Sequence, residues 1–373
     1  MRINFQHLLS MTDDTGLFEH AKFQTPRLDH GYCVDDVARA LIVIDRNQAQ
    51  SIDVLNARKI YVNFLSESQT ADGLIMNRRS VNGNWTSAPE TNDQWGRALW
   101  AFGSAFRENV DPVESAKLLK LFEVSAKLRS GHLRSMLFAS LGAIQVIHRE
   151  KRNLAARKLL ADTTAMIAQL PNKVYADYEN WIWPERKLTY ANAILPEVLL
   201  WAGNIFENEH LVANGKTLLQ WLLDVETRHI KDESLAVSSQ SFEKYFSVTP
   251  TTGHIPFQPR ERFDQQSIEV AALVDACASA YQVTNENDWL EYIRLGANWF
   301  EGLNDSNIMM YEPETGAGFD GLTRSGRNEN CGAESTICYL SVADQFQRFF
   351  SKNVNTLGEN NDASATHRNC LTA

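Results

Sequence analysis

A chain of 373 residues with 44% hydrophobic and 22% charged side chains has ordinary globular composition and enough length for a large core. Its formal net charge of -10 argues against nucleic acid and against an anionic membrane as partners, since both reward basic patches. No run of about 18 apolar residues is present, and Asp13 and Asp14 stand where a secretory leader needs an apolar stretch, so a cytoplasmic protein is expected.

Hydrophobic periodicity predicts helices, in chain order, over 35–48, 53–68, 93–108, 112–129, 132–149, 152–169, 190–206, 208–224, 266–283, 286–302 and 334–350. Sustained β alternation is nearly absent. The helices alternate in character. The first, third and later odd members are apolar nearly all round. Arg39 is the only charge between Val37 and Ile44, Arg97 the only one between Trp95 and Phe106, and Arg134 the only one between Leu133 and Ile147. Such helices are buried on every side. Their partners carry a charged stripe. In 112–129, Lys117, Lys120, Glu123 and Lys127 mark a solvated face, and Val113, Leu119, Phe122 and Leu128 are expected to face inward. Glu286, Asp288, Glu291 and Arg294 mark the same kind of face in 286–302. An inner helix followed by an outer one, repeated, is an array of helical hairpins. One outer helix is missing, and the segment from Ile3 to Ser10 is expected to supply it and close the ring. The fold class is therefore all-α, an (α/α)6 toroid, with one domain over 1–350. The polar, patternless residues 351–373 are expected to be a disordered tail.

Links from inner to outer helices are short, at 49–52, 109–111 and 150–152. The returns are long, at 69–92, 170–189, 225–265 and 303–333, with 130–131 the exception. Loops of that length in a compact domain are usually functional, and these would all lie above the N-termini of the inner helices. That end collects His30, Tyr32, Asp35 and Asp36 first, then Trp85, Glu90, Asp93 and Trp95. Trp181, Trp183, Glu185 and Tyr190 follow, then Arg262, Asp264, Gln265 and Glu269, and last Asp320 and Glu334. Carboxylates interleaved with tryptophan and tyrosine suit a sugar, whose flat apolar faces stack on rings while its hydroxyls bind acids, amides and arginines. Glycosidic cleavage needs a protonated acid near the leaving oxygen and a second carboxylate, and a shared cleft pushes their pKa values apart.

Plainer readings stand beside these. Asp35 and Asp93 open an internal echo, Asp-Asp-Val-Ala-Arg-Ala-Leu at 35–41 and Asp-Gln-Trp-Gly-Arg-Ala-Leu at 93–99. Each acid can be a helix cap paired with the arginine four residues on, whereas Asp36 has no such local partner. Trp181, Trp183 and Glu334 are open to packing or capping roles, and His132 and Arg134 read as structural. The five cysteines form no CxxC pair, so reduced thiols are expected, with no metal site and no cofactor.

Several runs together carry a family likeness. They are Thr-Asp-Asp-Thr-Gly-Leu-Phe-Glu-His-Ala (12–21), His-Gly-Tyr-Cys-Val-Asp-Asp-Val-Ala-Arg-Ala-Leu (30–41), Asp-Gln-Trp-Gly-Arg-Ala-Leu-Trp (93–100), Trp-Ile-Trp-Pro-Glu with Leu-Thr-Tyr-Ala-Asn-Ala-Ile-Leu-Pro-Glu (181–197), Phe-Asp-Gln-Gln (263–266) and Gly-Ala-Glu-Ser-Thr (332–336). The chain resembles bacterial helical domains of the six-hairpin glycosidase-like type, found alone or fused behind family 4 type glycosyltransferases. The resemblance implies an (α/α)6 toroid, a saccharide-related role and a possible glycosyltransferase partner. One departure stands out. Tyr190, Ala191, Asn192 and Ala193 occupy a place where the family pattern is Tyr-Asp-Asn-Ala, which directs attention to Glu185 instead.

The expectation is a glycoside hydrolase acting on a bacterial oligosaccharide, inverting rather than retaining. Asp36 and Asp93 would stand on one wall, with Glu185, Asp264 and Glu334 opposite. His30, Tyr32, Trp95, Arg97, Trp181, Trp183, Tyr190, Arg262, Gln265 and Glu269 would hold the sugar. The alternatives are a sugar epimerase or polysaccharide lyase, which favour His or Tyr bases, and a non-catalytic glycan-binding partner of a glycosyltransferase.

Overall fold

In the computed structural model the described residues are 1–47, 51–171, 174, 175, 178, 180–230 and 244–350, so the expected tail at 351–373 lies outside them. The chain is an (α/α)6 toroid. Six inner helices form a closed ring: α2 (Val34–Asn47), α4 (Asp93–Glu108), α6 (Leu133–Arg149), α8 (Ile194–Ile205), α10 (Ser267–Thr284) and α12 (Ala333–Phe350). Each packs against the next, and α12 returns to α2. Outside them lie α3 (Ile52–Ser68), α5 (Pro112–Ser125), α7 (Leu154–Ala168), α9 (Glu209–Glu226) and α11 (Asp288–Phe300). The sixth outer position is held by a single turn and a half, α1 (Gln6–Ser10), which touches both α12 and α3. The N-terminal segment thus closes the ring as its position in the sequence suggests.

Differences from expectation have local causes. Val113 is 78% exposed in the first turn of α5, and the inward row there is Leu118 and Phe122. The helix expected from residue 190 starts only at Ile194. The main-chain N–H groups of Ala191 and Asn192 donate to the Glu269 carboxylate, at 2.6 and 3.5 Å, and Ala191 sits at φ 45°. That capture holds the chain out of the helix until Ile194, and Pro196 then falls in the first turn, which tolerates it. Among the described residues there are also ten strands of two or three residues, three between α1 and α2 and seven in the long returns, all in antiparallel pairs and too short for an alternation signal.

Two features set the ring's geometry. The first is a close approach of α4 and α6. A Cβ on Gly96 would collide with the Ser135 carbonyl, one on Gly103 with the Gly142 carbonyl, and one on Gly142 with the Leu99 carbonyl. The second is the way helices begin. Four outer helices carry side-chain caps: Ser51 on α3, Asp111 on α5, Asn153 on α7 and Asn208 on α9. The inner helices α4, α6, α8 and α10 have none. Their free N–H groups and positive dipole ends therefore face the mouth of the ring, where they favour carboxylates. Asp93 and Glu269 stand in such first turns, and Asp35, Asp36 and Glu334 stand in the first turns of α2 and α12.

Cys33, Cys277, Cys331 and Cys338 are buried free thiols. Cys370 lies outside the described residues. No helix among the described residues is long and apolar enough to cross a membrane.

Candidate active site

The mouth holds a cavity of about 380 Å³, within the usual range of ligand pockets of roughly 300–1,000 Å³. Asp35, Asp36 and Arg39 of α2 line one side and Glu334 and Ser335 of α12 the side next to it. Glu19, His20, Arg78, Gln266, Asp320 and Asn328 come from the loops above.

Arg39 organises this cavity. One terminal nitrogen donates to Asp36 Oδ1 at 2.6 Å, the other to Glu334 Oε2 at 2.9 Å, and Nε donates to the Asp35 carbonyl at 3.3 Å. Asp36 and Glu334, expected on opposite walls, are thus side by side on one guanidinium. Asp36 is buried, and loss of hydration pushes its carboxyl up to about 7, with Arg39 opposing and Glu334 and Glu19 reinforcing that rise. Glu334 keeps 38% of its side chain exposed.

The internal echo does not produce two equivalent pairs. Asp35 meets Arg97 of the neighbouring helix at 3.6 Å, not Arg39, and Asp36 has the local partner that its sequence context did not suggest. Asp93 meets no arginine of its own helix. It accepts Ser135 Oγ at 2.8 Å and the Tyr190 hydroxyl at 2.5 Å. Arg97 is buried with its guanidinium 3.9 Å above the Phe138 ring.

A second group adjoins the first. Arg134 of α6, read as structural, donates to Glu185 at 2.8 Å, to Asn192 Oδ1 at 3.1 Å and to the Tyr190 carbonyl at 2.9 Å. Its Nη1 is buried without a hydrogen-bond partner among the described residues. Glu269 and Tyr190 line a cavity of about 140 Å³ that meets the larger one at Gln266. Burial pushes Glu269 up, to about 8.

Other expected ligand contacts are structural. Trp95 and Trp183 are buried to 0% and 1% exposure, and Trp181 is nearly as deep, so none offers a ring face to the mouth. The Trp181 indole N–H donates to the Glu185 carbonyl and that of Trp183 to Glu185 Oε2. Tyr32 is buried, stacks on Phe18 and donates to Asp13. Gln265 is buried too, and its amide ties Val248, Arg262, Asp305 and Trp299 together. Among the described residues Arg262 pairs with Asp305, at 4.0 Å. Asp264 is exposed and lines neither cavity. His30 stands on the rim, edge-on to His20 at 4.7 Å.

Sequence reasoning missed Glu19, paired with Arg78 from a loop 59 residues away. It also missed Arg39 as a clamp between two helices. Among the described residues, Glu19, Cys33 and Asp36 bring potential metal-ligating atoms within 4.8 Å of one another. Arg78 and Arg39 already neutralise both acids there, so the group does not fit a cation.

Below the mouth the axis narrows to a cavity of about 50 Å³ and widens at the far end to about 120 Å³. Glu197 lines both. It accepts Ser279 Oγ at 2.8 Å on one oxygen, and the other is buried without a partner. Burial first, then Asp275, pushes this carboxyl up to about 8. Between its ordinary value and that one, the folded chain keeps a proton that the unfolded chain has released, so stability falls as pH rises across this window. The urea midpoint should drop from about pH 5 to about pH 8.5, and Glu197→Gln should flatten that slope. Equal slopes in both proteins would rule out Glu197 as its source.

No family profile matches the chain, and no curated protein does. Solved structures do. A sugar epimerase from a ruminal bacterium superposes with TM-score 0.62 at 12% identity, covering 91% of this chain and 94% of that one. Cellobiose 2-epimerase from Spirochaeta thermophila gives 0.61 at 10% identity, covering 92% and 93%. A family 76 glycoside hydrolase (mannosidase) from Bacteroides thetaiotaomicron gives 0.59 at 7%, covering 92% and 94%. At these identities the likeness is one of fold.

Proposed function

We propose that this chain is a glycoside hydrolase that cleaves a gluco- or manno-configured oligosaccharide in the mouth cavity by carboxylate acid/base catalysis. The observation that carries this reading is the pair Asp36 and Glu334 on the single guanidinium of Arg39. Burial raises the Asp36 carboxyl to about 7, which suits it to hold a proton. Asp36, the buried one, holds the proton and gives it to the leaving glycosidic oxygen. Glu334, the open one, is the second carboxylate, which activates water or attacks the anomeric carbon itself. Asp93, Tyr190, Arg97 and Arg134 bind hydroxyls of the sugar. The structural neighbours are named as enzymes of sugars, which supports the substrate class.

One observation favours a second reaction. His20 lines the same cavity and His30 packs on it. An imidazole there suits removal of a carbon-bound proton, as epimerisation of a reducing-end sugar requires.

A reducing-end assay on a panel of gluco- and manno-oligosaccharides separates these. Hydrolysis releases new reducing ends, and Asp36→Asn should lower the rate about 10²–10⁴-fold. Proton NMR of the first anomer released reads whether water attacks directly, as the sequence suggests, or after a covalent step on Glu334. Epimer formation without new reducing ends, lost in His20→Ala and retained in Asp36→Asn, would overturn the hydrolase in favour of the second reaction. Binding without any turnover would leave the chain a glycan-binding partner of another enzyme.

A further inference from the structure

Two of the tryptophans that do not face the mouth, Trp181 and Trp183, cluster with Trp221. Trp221 of α9 meets Trp181 edge-on at 5.2 Å and stacks with Trp183 at 5.9 Å. Trp181 also tilts against His254 at 5.7 Å. The cluster borders an open groove of about 400 Å³, and none of the groove's lining residues lines the mouth cavity.

The lining has a particular chemistry. Trp221, Tyr178 and His254 supply rings, Pro256 a rigid apolar edge, and Asp224 and Gln258 polar tips. Among the described residues, no lysine or arginine lines it. A carboxylate and an amide set beside rigid ring faces can hold hydroxyls while C–H faces stack, which is what a saccharide offers. Aromatic side chains give such contact area at low cost in conformational freedom.

The groove is also mechanically joined to the mouth. Trp181 and Trp183 both donate to Glu185, at 2.9 and 3.2 Å, and Glu185 pairs with Arg134 beside Tyr190. We propose that this groove is a second, separate saccharide-binding site, which holds another chain of the oligosaccharide class acted on at the mouth. It rests on the saccharide reading given above.

Calorimetric titration of cellohexaose and mannohexaose into the full chain carrying Glu334→Gln, to stop turnover, tests it. Two equivalents of one hexasaccharide should bind. Trp221→Ala should remove one equivalent. Tyr178→Ala, which alters a surface ring and leaves the core alone, should weaken that same equivalent about tenfold, the loss of one ring contact. Turnover of a short aryl glycoside should be unchanged by Tyr178→Ala when Glu334 is restored. A single equivalent insensitive to both aromatic substitutions overturns the groove and leaves the mouth reading standing. No binding of either hexasaccharide overturns both.

Discussion

Replacing Arg39 by alanine should abolish turnover and cost about 3–5 kcal/mol of folding stability, because it strands a buried acid. Arg39 is itself buried, and both of its terminal nitrogens are committed to carboxylates on two adjacent inner helices. Without it, Asp36 has to stay protonated or remain charged in a dry site, and Glu334 loses the contact that fixes its rotamer. The destabilisation should therefore be smaller at acidic pH, where Asp36 is neutral at no further cost, and larger above about 7. Arg39→Lys keeps the charge, but one ammonium cannot reproduce a fork that serves two partners. It should recover part of the stability and little of the activity. Urea titrations of both variants at two pH values provide the check. An Arg39→Ala protein within about 1 kcal/mol of the parent would show that the clamp is not what holds the mouth together.

Gly142→Ala tests the opposite kind of site, one without charge. In an exposed helix this change gains about 1 kcal/mol from propensity alone. Here the new methyl would meet the Leu99 carbonyl and the Trp100 Cα, both backbone atoms of α4 that cannot rotate away. The two helices have to part, and overpacking of this kind costs about 1–3 kcal/mol or more. A net loss of about 2 kcal/mol, with a visible drop in the thermal midpoint, is expected. A stabilised Gly142→Ala protein would mean that α4 and α6 do not run as close as described.

Much of this architecture is readable from the chain. Helices apolar on every side, such as the one carrying Arg97, can only be an inner layer, and their alternation with striped partners yields the hairpin ring. That residues 6–10 complete it follows from counting outer helices. The pairing of charges was not legible. Asp35 and Arg39 are four residues apart and could meet on one helix face, yet the ring brings Arg97 to Asp35 and Glu334 to Arg39 from neighbouring helices. Local spacing cannot anticipate partners set by closure. Glu19 and Arg78 meet for the same reason, across loops that carry no periodic signal. Tryptophan is ambiguous in another way. Its size serves packing and ligand contact alike, and only burial separates Trp95, which is wholly enclosed, from Trp221, which borders a groove.

Closure by α1 also bears on the order in which the molecule can form. Residues 6–10 pack on α12, whose own residues are synthesised more than three hundred positions later. His7 is held from that distant part of the chain, its main-chain N–H donating to the Thr315 carbonyl at 2.9 Å and its ring meeting the Cys331 carbonyl at 2.9 Å. A nascent chain can assemble α2 to α9 as neighbouring hairpins while it emerges, but the early segment has only its α3 side to dock on until the last inner helix is made. The seam between α12 and α2 is then the slow, non-local step. Before it, the inner faces of the two end hairpins lie open to water, and that is the interval in which a second copy of the chain could complete the ring instead.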